Sequence, residues 1–575
     1  MGSGTFGRWL SSEKLSIALC ILAGLGCAWA GRYAMNPDGI SYLDLGDALL
    51  QRDWAAATNA YWSPLYALLL GIAVHLVHPP IWWQFPLVHL VNFFIFVWSL
   101  LCFRYFMNQL LGGAEYKCEQ PASVESARLP RWFLRSSGYA LFLWCSLDLI
   151  GIQIVTPDLL LSSWIFLLAA LLVRLRREAS GARFLLFGGL LGAAYLSKSF
   201  MFPMAFVFLL VLFFSGQRSR RRTSNVLLAA AAFLAIATPL IAVLSQAKGR
   251  PTFSDAGRLT YAWLVSPQTP IINAQPEHAA ELLHPTRKMM AHPPVYEFAG
   301  PIAGTYPPWY DPSYWNDGIR PQFHLRSQLQ TVIRGIGVHS RLLLSEWGWL
   351  VGSLIFLLMG RRTILGGIRE QWPLLLVTLV ALGMYSLILV MPRYAAPFLA
   401  VFCFAVLAGM WRRQSSNPRT VNLVAAATLC VMLLALAQPL IAKSYRKWSE
   451  GRERNREEPV RAAEGLLRMG LHPNDRLAIL GDGTSEYWAR LAQVKIVAQI
   501  MLREGGGDEF WRLAPEERVP VYEALAGMGA RALVTWDSTR PDLGKGWLRI
   551  AGTSYHVHFL LPDESSPPAV ASRGK

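Results

Sequence analysis

Charge is scarce in this chain. Asp, Glu, Lys and Arg make up 16% of its 575 residues, against 53% hydrophobic, and that balance excludes an ordinary soluble globular protein. Paired cysteine is lacking too. The seven cysteines, Cys20, Cys27, Cys102, Cys118, Cys145, Cys403 and Cys430, form no CxxC and no Cys/His metal spacing. All but Cys118 fall in apolar runs, so they read as small apolar fillers and no structural disulfide is expected. No P-loop is present, which disfavours ATP-driven transport. Neither GxSxG nor HExxH occurs, which removes the common serine hydrolase and zinc protease chemistries.

The charge that is present has a pattern. The formal net charge is +17, with 54 Lys and Arg against 37 Asp and Glu. The arginines cluster in short runs between apolar spans: RLRRE at 174–178, RSRRR at 218–222, GRR at 360–362 and WRR at 411–413. That is the distribution of cytoplasmic loops in a polytopic membrane protein. A nucleic-acid partner is excluded, since it needs a contiguous basic surface on one domain.

Apolar spans run over about 14–34, 85–107, 136–153, 157–174, 183–198, 199–215, 224–245, 342–359, 371–391, 393–410 and 419–442. Runs of this kind cross the ~30 Å of bilayer hydrocarbon, and about 11 transmembrane helices are expected. Arg8 and Lys14 before the first run imitate a secretory signal, but the run is long for one, so an uncleaved first helix is expected.

A twelfth segment, 63–78 (SPLYALLLGIAVHLVH), is short and ends at Pro79-Pro80. If it crossed, every arginine-rich loop would move outside, against the positive-inside rule. It is therefore expected as an interfacial or re-entrant helix on the outer face. With a cytoplasmic N-terminus, the outer face then gathers four segments: loop 35–84, the Thr156-Pro157-Asp158 turn, loop 246–340, and everything after 443. Lys198 and Arg393 fall on the same side.

Residues 36–66, NPDGISYLDLGDALLQRDWAAATNAYWSPLY, carry the densest signal. Acids where a membrane helix meets water commonly serve ions, protons or substrates, although a solvated capping loop has the same composition. Loop 246–340 is rich in Pro, Trp, Tyr and His. A structureless loop of that length is improbable unless it is a lid or binding loop. Its aromatics suit either sugar faces or the membrane surface. His278, His284 and His292, six and eight residues apart, lack ligand spacing and are weak metal candidates.

After 443 the character changes. Short apolar runs at 476–480, 494–500, 531–535, 547–551 and 555–561 alternate with helical patterns at 459–469, 485–492 and 519–528. This predicts a small extracytoplasmic α/β domain over 443–563, read as an accessory module, with a disordered tail over 564–575. Gly481-Asp482-Gly483 after the first strand reads as a βα turn, not a nucleotide fingerprint. The transmembrane domain is 1–442.

Several short motifs resemble the GT-C superfamily of polytopic glycosyltransferases, of the protein O-mannosyltransferase and lipid A aminoarabinose transferase type (glycosyltransferase family 39-like). Asp38-Gly39 resembles the family's first-loop acidic motif, with Gly39 where a second acid is commoner. Tyr42 matches the following aromatic, and Ser63-Pro64-Leu65-Tyr66 the Pro-Leu-Tyr helix start. Thr156-Pro157-Asp158 resembles the second acidic turn, Leu196-Ser197-Lys198 with Pro203 the Leu-x-Lys segment, and Arg393-Tyr394-Ala395-Ala396-Pro397 the late Arg-Tyr-x-x-Pro motif. These signals cover about residues 14–410 and leave the C-terminal domain outside.

The resemblance implies inverting transfer of a sugar from a polyprenyl phosphate to an extracytoplasmic glycan, lipid or protein hydroxyl, in a bacterial inner membrane. It implies Asp38 as the general base, and Lys198 and Arg393 as donor-phosphate ligands. Asp158 would orient the acceptor or a divalent metal, and Tyr42, Tyr66 and Tyr394 would line the substrate. Bland alternatives stand beside these roles: Asp158 is also a helix-start signal, and Lys198 and Arg393 could snorkel to headgroups. Asp44 points to another face and reads as structural. A lipid-linked sugar flippase would share the hydrophobicity but would carry acids within spans and paired repeats. A membrane scaffold would not explain four charged residues on one side.

Overall fold

Hydrocarbon offers no hydrogen-bond partner, so long apolar runs close their backbone bonds internally as helices. The computed structural model describes residues 13–116, 129–178, 180–216, 219–266, 286–298, 300, 302–311, 321–344, 365–410, 418–450, 457–500, 506–537 and 543–560. Its longer helices in the first 450 residues are α1 (Glu13–Ala30), α2 (Pro37–Leu50), α3 (Pro64–Val77), α4 (Ile81–Tyr116), α5 (Arg131–Leu143), α6 (Asp158–Leu175), α7 (Gly181–Ser197), α8 (Met201–Phe214), α9 (Arg220–Ala247), α10 (Leu325–Leu344), α11 (Trp372–Ser386), α12 (Pro392–Gly409) and α13 (Pro418–Glu450). Six of them, α1, α4, α6, α9, α12 and α13, contain a stretch long and apolar enough to cross a membrane. The helices α7, α8 and α11 are shorter and equally apolar. A π-helical turn, Trp144–Ile150, extends α5. The chain is an integral, multi-pass membrane protein. Ten of the expected spans coincide with helices; the span 342–359 lies almost wholly outside the described residues, as does the tail 564–575.

Burial ranks the helices. The apolar window of α6 is 83% buried and that of α12 is 72%, whereas that of α1 is 17%. α6 and α12 are thus the central pair, and α1 presents most of its surface to lipid. An aromatic cluster of Phe103, Phe142, Phe166 and Phe404 ties α4, α5, α6 and α12 together, with Phe103 and Phe166 edge to face at 4.8 Å.

α2 and α3 pack closely against each other. Each has 14 residues, about 21 Å at 1.5 Å per residue, which is short of the hydrocarbon thickness. Pro37 and Pro64 start the two helices with a preset φ. Two glycines allow their close approach: a Cβ on Gly46 would lie 2.5 Å from the Ala67 carbonyl oxygen, and one on Gly71 would lie 2.8 Å from that of Gly46.

The C-terminal strands β3 (Arg476–Leu480), β4 (Lys495–Ile500), β5 (Ala532–Trp536), β6 (Trp547–Arg549) and β7 (Tyr555–Phe559) fall where the alternation placed them. Two further strands, β1 (Thr286–Met290) and β2 (Val295–Phe298), come from loop 246–340 and complete one sheet of order β1-β2-β4-β3-β5-β7-β6. The central trio β4-β3-β5 is parallel and the other pairs are antiparallel. Loop 246–340 also contains short helices at Ala256–Leu264 and Pro307–Tyr310 and the start of α10. Its described parts thus include two strands of the C-terminal sheet, a link that no local pattern in the loop foretold.

Replacing Gly46 with alanine is expected to destabilise the protein by about 1–3 kcal/mol, since backbone rather than a flexible side chain blocks the new methyl. Gly26 has nothing near its Cβ position, so Gly26→Ala should leave stability unchanged. Thermal unfolding in detergent compares the two, and equal midpoints would contradict this packing.

Candidate active site

Four chain segments end at one place. Asp158 is the first residue of α6, Arg393 the second of α12, Asp38 the second of α2, and Lys198 the residue at which α7 stops. Pro392 at the start of α12 and Pro37 at the start of α2 set where those helices begin. Asn36 ties the segments together: Val155 N–H donates to its Oδ1 at 2.8 Å and its Nδ2 donates to the Val155 carbonyl at 3.4 Å. That clasp holds the start of α2 against the turn leading into Asp158.

The charged side chains form a chain of contacts. Arg393 Nη2 donates to Asp38 Oδ2 at 2.9 Å, while its Nε lies 3.6 Å from Asp158 Oδ2. Lys198 Nζ donates to Asp158 Oδ1 at 2.5 Å and sits 3.5 Å from the centre of the Tyr394 ring, within cation–π range. Thr156 Oγ1 donates to Asp158 Oδ2 at 2.9 Å. Both aspartates lie in the first turns of helices, where the helix dipole favours a negative charge. Arg393 also starts a helix and opposes that dipole, so the two carboxylates hold it there.

The two aspartates are not equivalent. The Asp158 side chain is 2% exposed and its oxygens already serve Lys198 and Thr156, whereas Asp38 and Arg393 are each 15% exposed. Asp38 is thus the carboxylate within reach of a substrate. Arg393 Nε is buried without a hydrogen-bond partner among the described residues. An unspent guanidinium N–H beside a reachable carboxylate suits an anionic group.

Aromatic rings wall this cluster. Tyr42 is 6% exposed and meets Trp62 and Tyr66 edge to face, each at 5.2 Å. Burial, then the negative charges of Asp38 and Asp158, push its phenol well above the ordinary value. Tyr61 is shifted in the same direction, chiefly by burial. Both phenols therefore stay protonated and do not compete with Asp38 as a base. Tyr66 stands behind Tyr42, 1% exposed, with its hydroxyl donating to Asn92 Oδ1 at 2.7 Å. On the other side Tyr394 stacks on Tyr385 at 5.5 Å, and Tyr385 on Phe200 at 3.9 Å. The Tyr385 hydroxyl and the indole nitrogens of Trp263 and Trp309 are buried without partners among the described residues.

The side chains here do not fit a resident metal. Among the described residues no three His, Cys, Asp or Glu side chains cluster. His292, in the turn between β1 and β2, faces Glu509 of the helix Gly506–Arg512 at 3.5 Å; His278 and His284 lie outside the described residues. Asp44 and Asp47 turn away from the cluster to Arg490, and Asp53 caps the short helix Trp54–Ala57.

No family model matches the chain, and no curated protein matches it. Among solved structures it is similar to ArnT from Cupriavidus metallidurans bound to undecaprenyl phosphate, with a TM-score of 0.51 and 12% identity over 96% of this chain and 99% of that one. The apo state of ArnT is also similar, with a TM-score of 0.39 and 13% identity over 94% and 97% of the two chains. The chain has an ArnT-like fold. That fold includes the helical bundle and the C-terminal sheet, so it extends past residue 410, where the sequence motifs stop.

Several neighbours of this cluster went unseen in the sequence. Tyr61 stood inside the opening stretch without a distinguishing sign, and Phe200 lay two residues past Lys198. Tyr385, Trp263 and Asn36 carried no local signal, because their role arises from contacts between distant segments.

Lys198 and Asp158 should be coupled energetically. Lys198→Ala and Asp158→Ala are each expected to lower the unfolding midpoint. The double variant should lose less than their sum, by about 0.5–3 kcal/mol as for residues in direct contact. Strict additivity would mean that the pair contributes nothing.

Proposed function

We propose that this chain is a membrane glycosyltransferase that moves a sugar, with inversion, from a polyprenyl phosphate to a hydroxyl on an extracytoplasmic glycan, lipid or protein. The observation that carries the reading is the Arg393 guanidinium, held between a reachable carboxylate and a buried one with an N–H unspent. The ArnT-like fold supports it, since ArnT was solved with undecaprenyl phosphate bound. The setting that fits is a bacterial inner membrane, with the cluster at its periplasmic face.

In this reading Asp38 takes the proton of the acceptor hydroxyl. The acceptor oxygen forms a bond to the anomeric carbon as the bond from that carbon to the phosphate oxygen breaks. In-line attack inverts the configuration, and polyprenyl phosphate leaves. Arg393 and Lys198 stabilise the charge that develops on the phosphate, in a site where water is scarce and such contacts are strong. Asp158 holds the two cations in place. Tyr42 and Tyr394 offer ring faces and hydroxyls to the sugar, with Tyr66 as a backing strut.

The test is transfer of radiolabelled sugar from polyprenyl phosphate donors to cell-envelope acceptors by the purified protein. Asp38→Asn should lower the rate by at least about 10²-fold, the typical contribution of a general base, without loss of protein from the membrane. Arg393→Ala should lower kcat/KM for the donor. Full activity in Asp38→Asn would remove the base assignment, and movement of the lipid-linked sugar without transfer would make the protein a transporter.

A further inference from the structure

α2 has two charged faces. Asp38 points to Arg393, whereas Asp44 and Asp47, six and nine residues later, lie about 180–240° around the helix at 100° per residue. Those two acids meet the C-terminal domain. Arg490 Nη1 is 3.1 Å from Asp44 Oδ1 and 2.5 Å from Asp47 Oδ2. Thr305, from the segment preceding the short helix Pro307–Tyr310, donates its N–H to Asp44 Oδ2 at 2.7 Å and its hydroxyl to Asp44 Oδ1 at 2.9 Å. The Arg490 and Asp44 side chains are 8% and 5% exposed. Burial raises the Asp44 carboxyl above its ordinary range, although Arg490 and Thr305 oppose that.

A buried ion pair adds little stability over an apolar contact of the same size, because desolvation offsets the attraction. What it adds is direction. A guanidinium between two carboxylates on one helix accepts a single rotation and axial position of that helix. A slip of one residue would move Asp38 by about 1.5 Å and about 100°. The Asn36–Val155 clasp and the close Gly46–Gly71 crossing also hold α2, and Arg490 adds the charged anchor on the face turned away from Asp38.

We propose that Arg490 is a positioning residue for Asp38, so that the C-terminal sheet is a working part of the site. The proposal rests on the transferase reading for its catalytic consequence. Arg490 lies 446 residues from Asp44 and touches none of the four clustered side chains. It acts through α2; without it Lys198 keeps its pair with Asp158 and Arg393 its contact to Asp158.

The experiment uses the full chain in detergent or nanodiscs, with Arg490→Ala, Arg490→Lys and the milder Asp47→Asn. Three quantities are measured: sugar-transfer kinetics, binding of undecaprenyl phosphate, and amide hydrogen exchange. Arg490→Ala should lower kcat by about tenfold to a hundredfold, the scale of an ångström-sized misplacement, with undecaprenyl phosphate affinity unchanged. Exchange should quicken across α2 and not across α6 or α12. Arg490→Lys should recover part of the rate, and Asp47→Asn should show a smaller effect in the same direction if Arg490→Ala does not fold. Unaltered α2 exchange, or a kcat loss matched by an equal loss of undecaprenyl phosphate affinity, would overturn the proposal. If the wild-type protein transfers no sugar while α2 still loosens, the clamp stands and the transferase reading falls.

Discussion

The structure depends on one bridge: the Arg393 guanidinium between Asp38 and Asp158. Unpaired charges are costly at the edge of a low-dielectric bundle. Two carboxylates at helix starts, a lysine where a helix stops, and an arginine at the start of a third helix satisfy one another only if α2, α6, α7 and α12 end at the same point. The chain enforces this with proline at helix starts and with the Asn36–Val155 clasp. In the proposed reaction the same bridge has a second use, because a guanidinium that already orients the base can also meet an incoming phosphate.

α2 is the element through which the two halves of the molecule meet. One face lies against the charged cluster and the opposite face is fastened by Arg490 and Thr305. Its third contact, with α3, is a close glycine crossing. A helix about 21 Å long, too short to span hydrocarbon, is thereby fixed on three sides. The C-terminal domain supplies Arg490 from the short helix Tyr487–Leu491, and its sheet recruits β1 and β2 from loop 246–340, so described parts of the long loop share one sheet with the C-terminal segment.

Much of this was legible in the sequence because it has local causes. Apolar runs gave helices, among them the 14-residue α3 within 63–78. Alternation after residue 443 located five strands. Asp38, Asp158, Lys198 and Arg393 were each visible as a charged residue at the end of an apolar run, and they come together. What local pattern could not reveal was pairing at a distance. The strands β1 and β2 lie in a stretch with weak alternation, and their partner β4 is some 200 residues away. Arg490 looks like any surface arginine until α2 is placed beside it, and Tyr66, prominent in the motif, is a strut whose hydroxyl is spent on Asn92.

The most direct test of the central claim is an experimental structure with undecaprenyl phosphate bound. The phosphate should lie against Arg393 and Lys198, with the Arg393 contact to Asp38 loosened and the Asp38 carboxylate facing the space where an acceptor hydroxyl would enter. A phosphate bound elsewhere, with the Arg393–Asp38 pair intact at 2.9 Å, would contradict it.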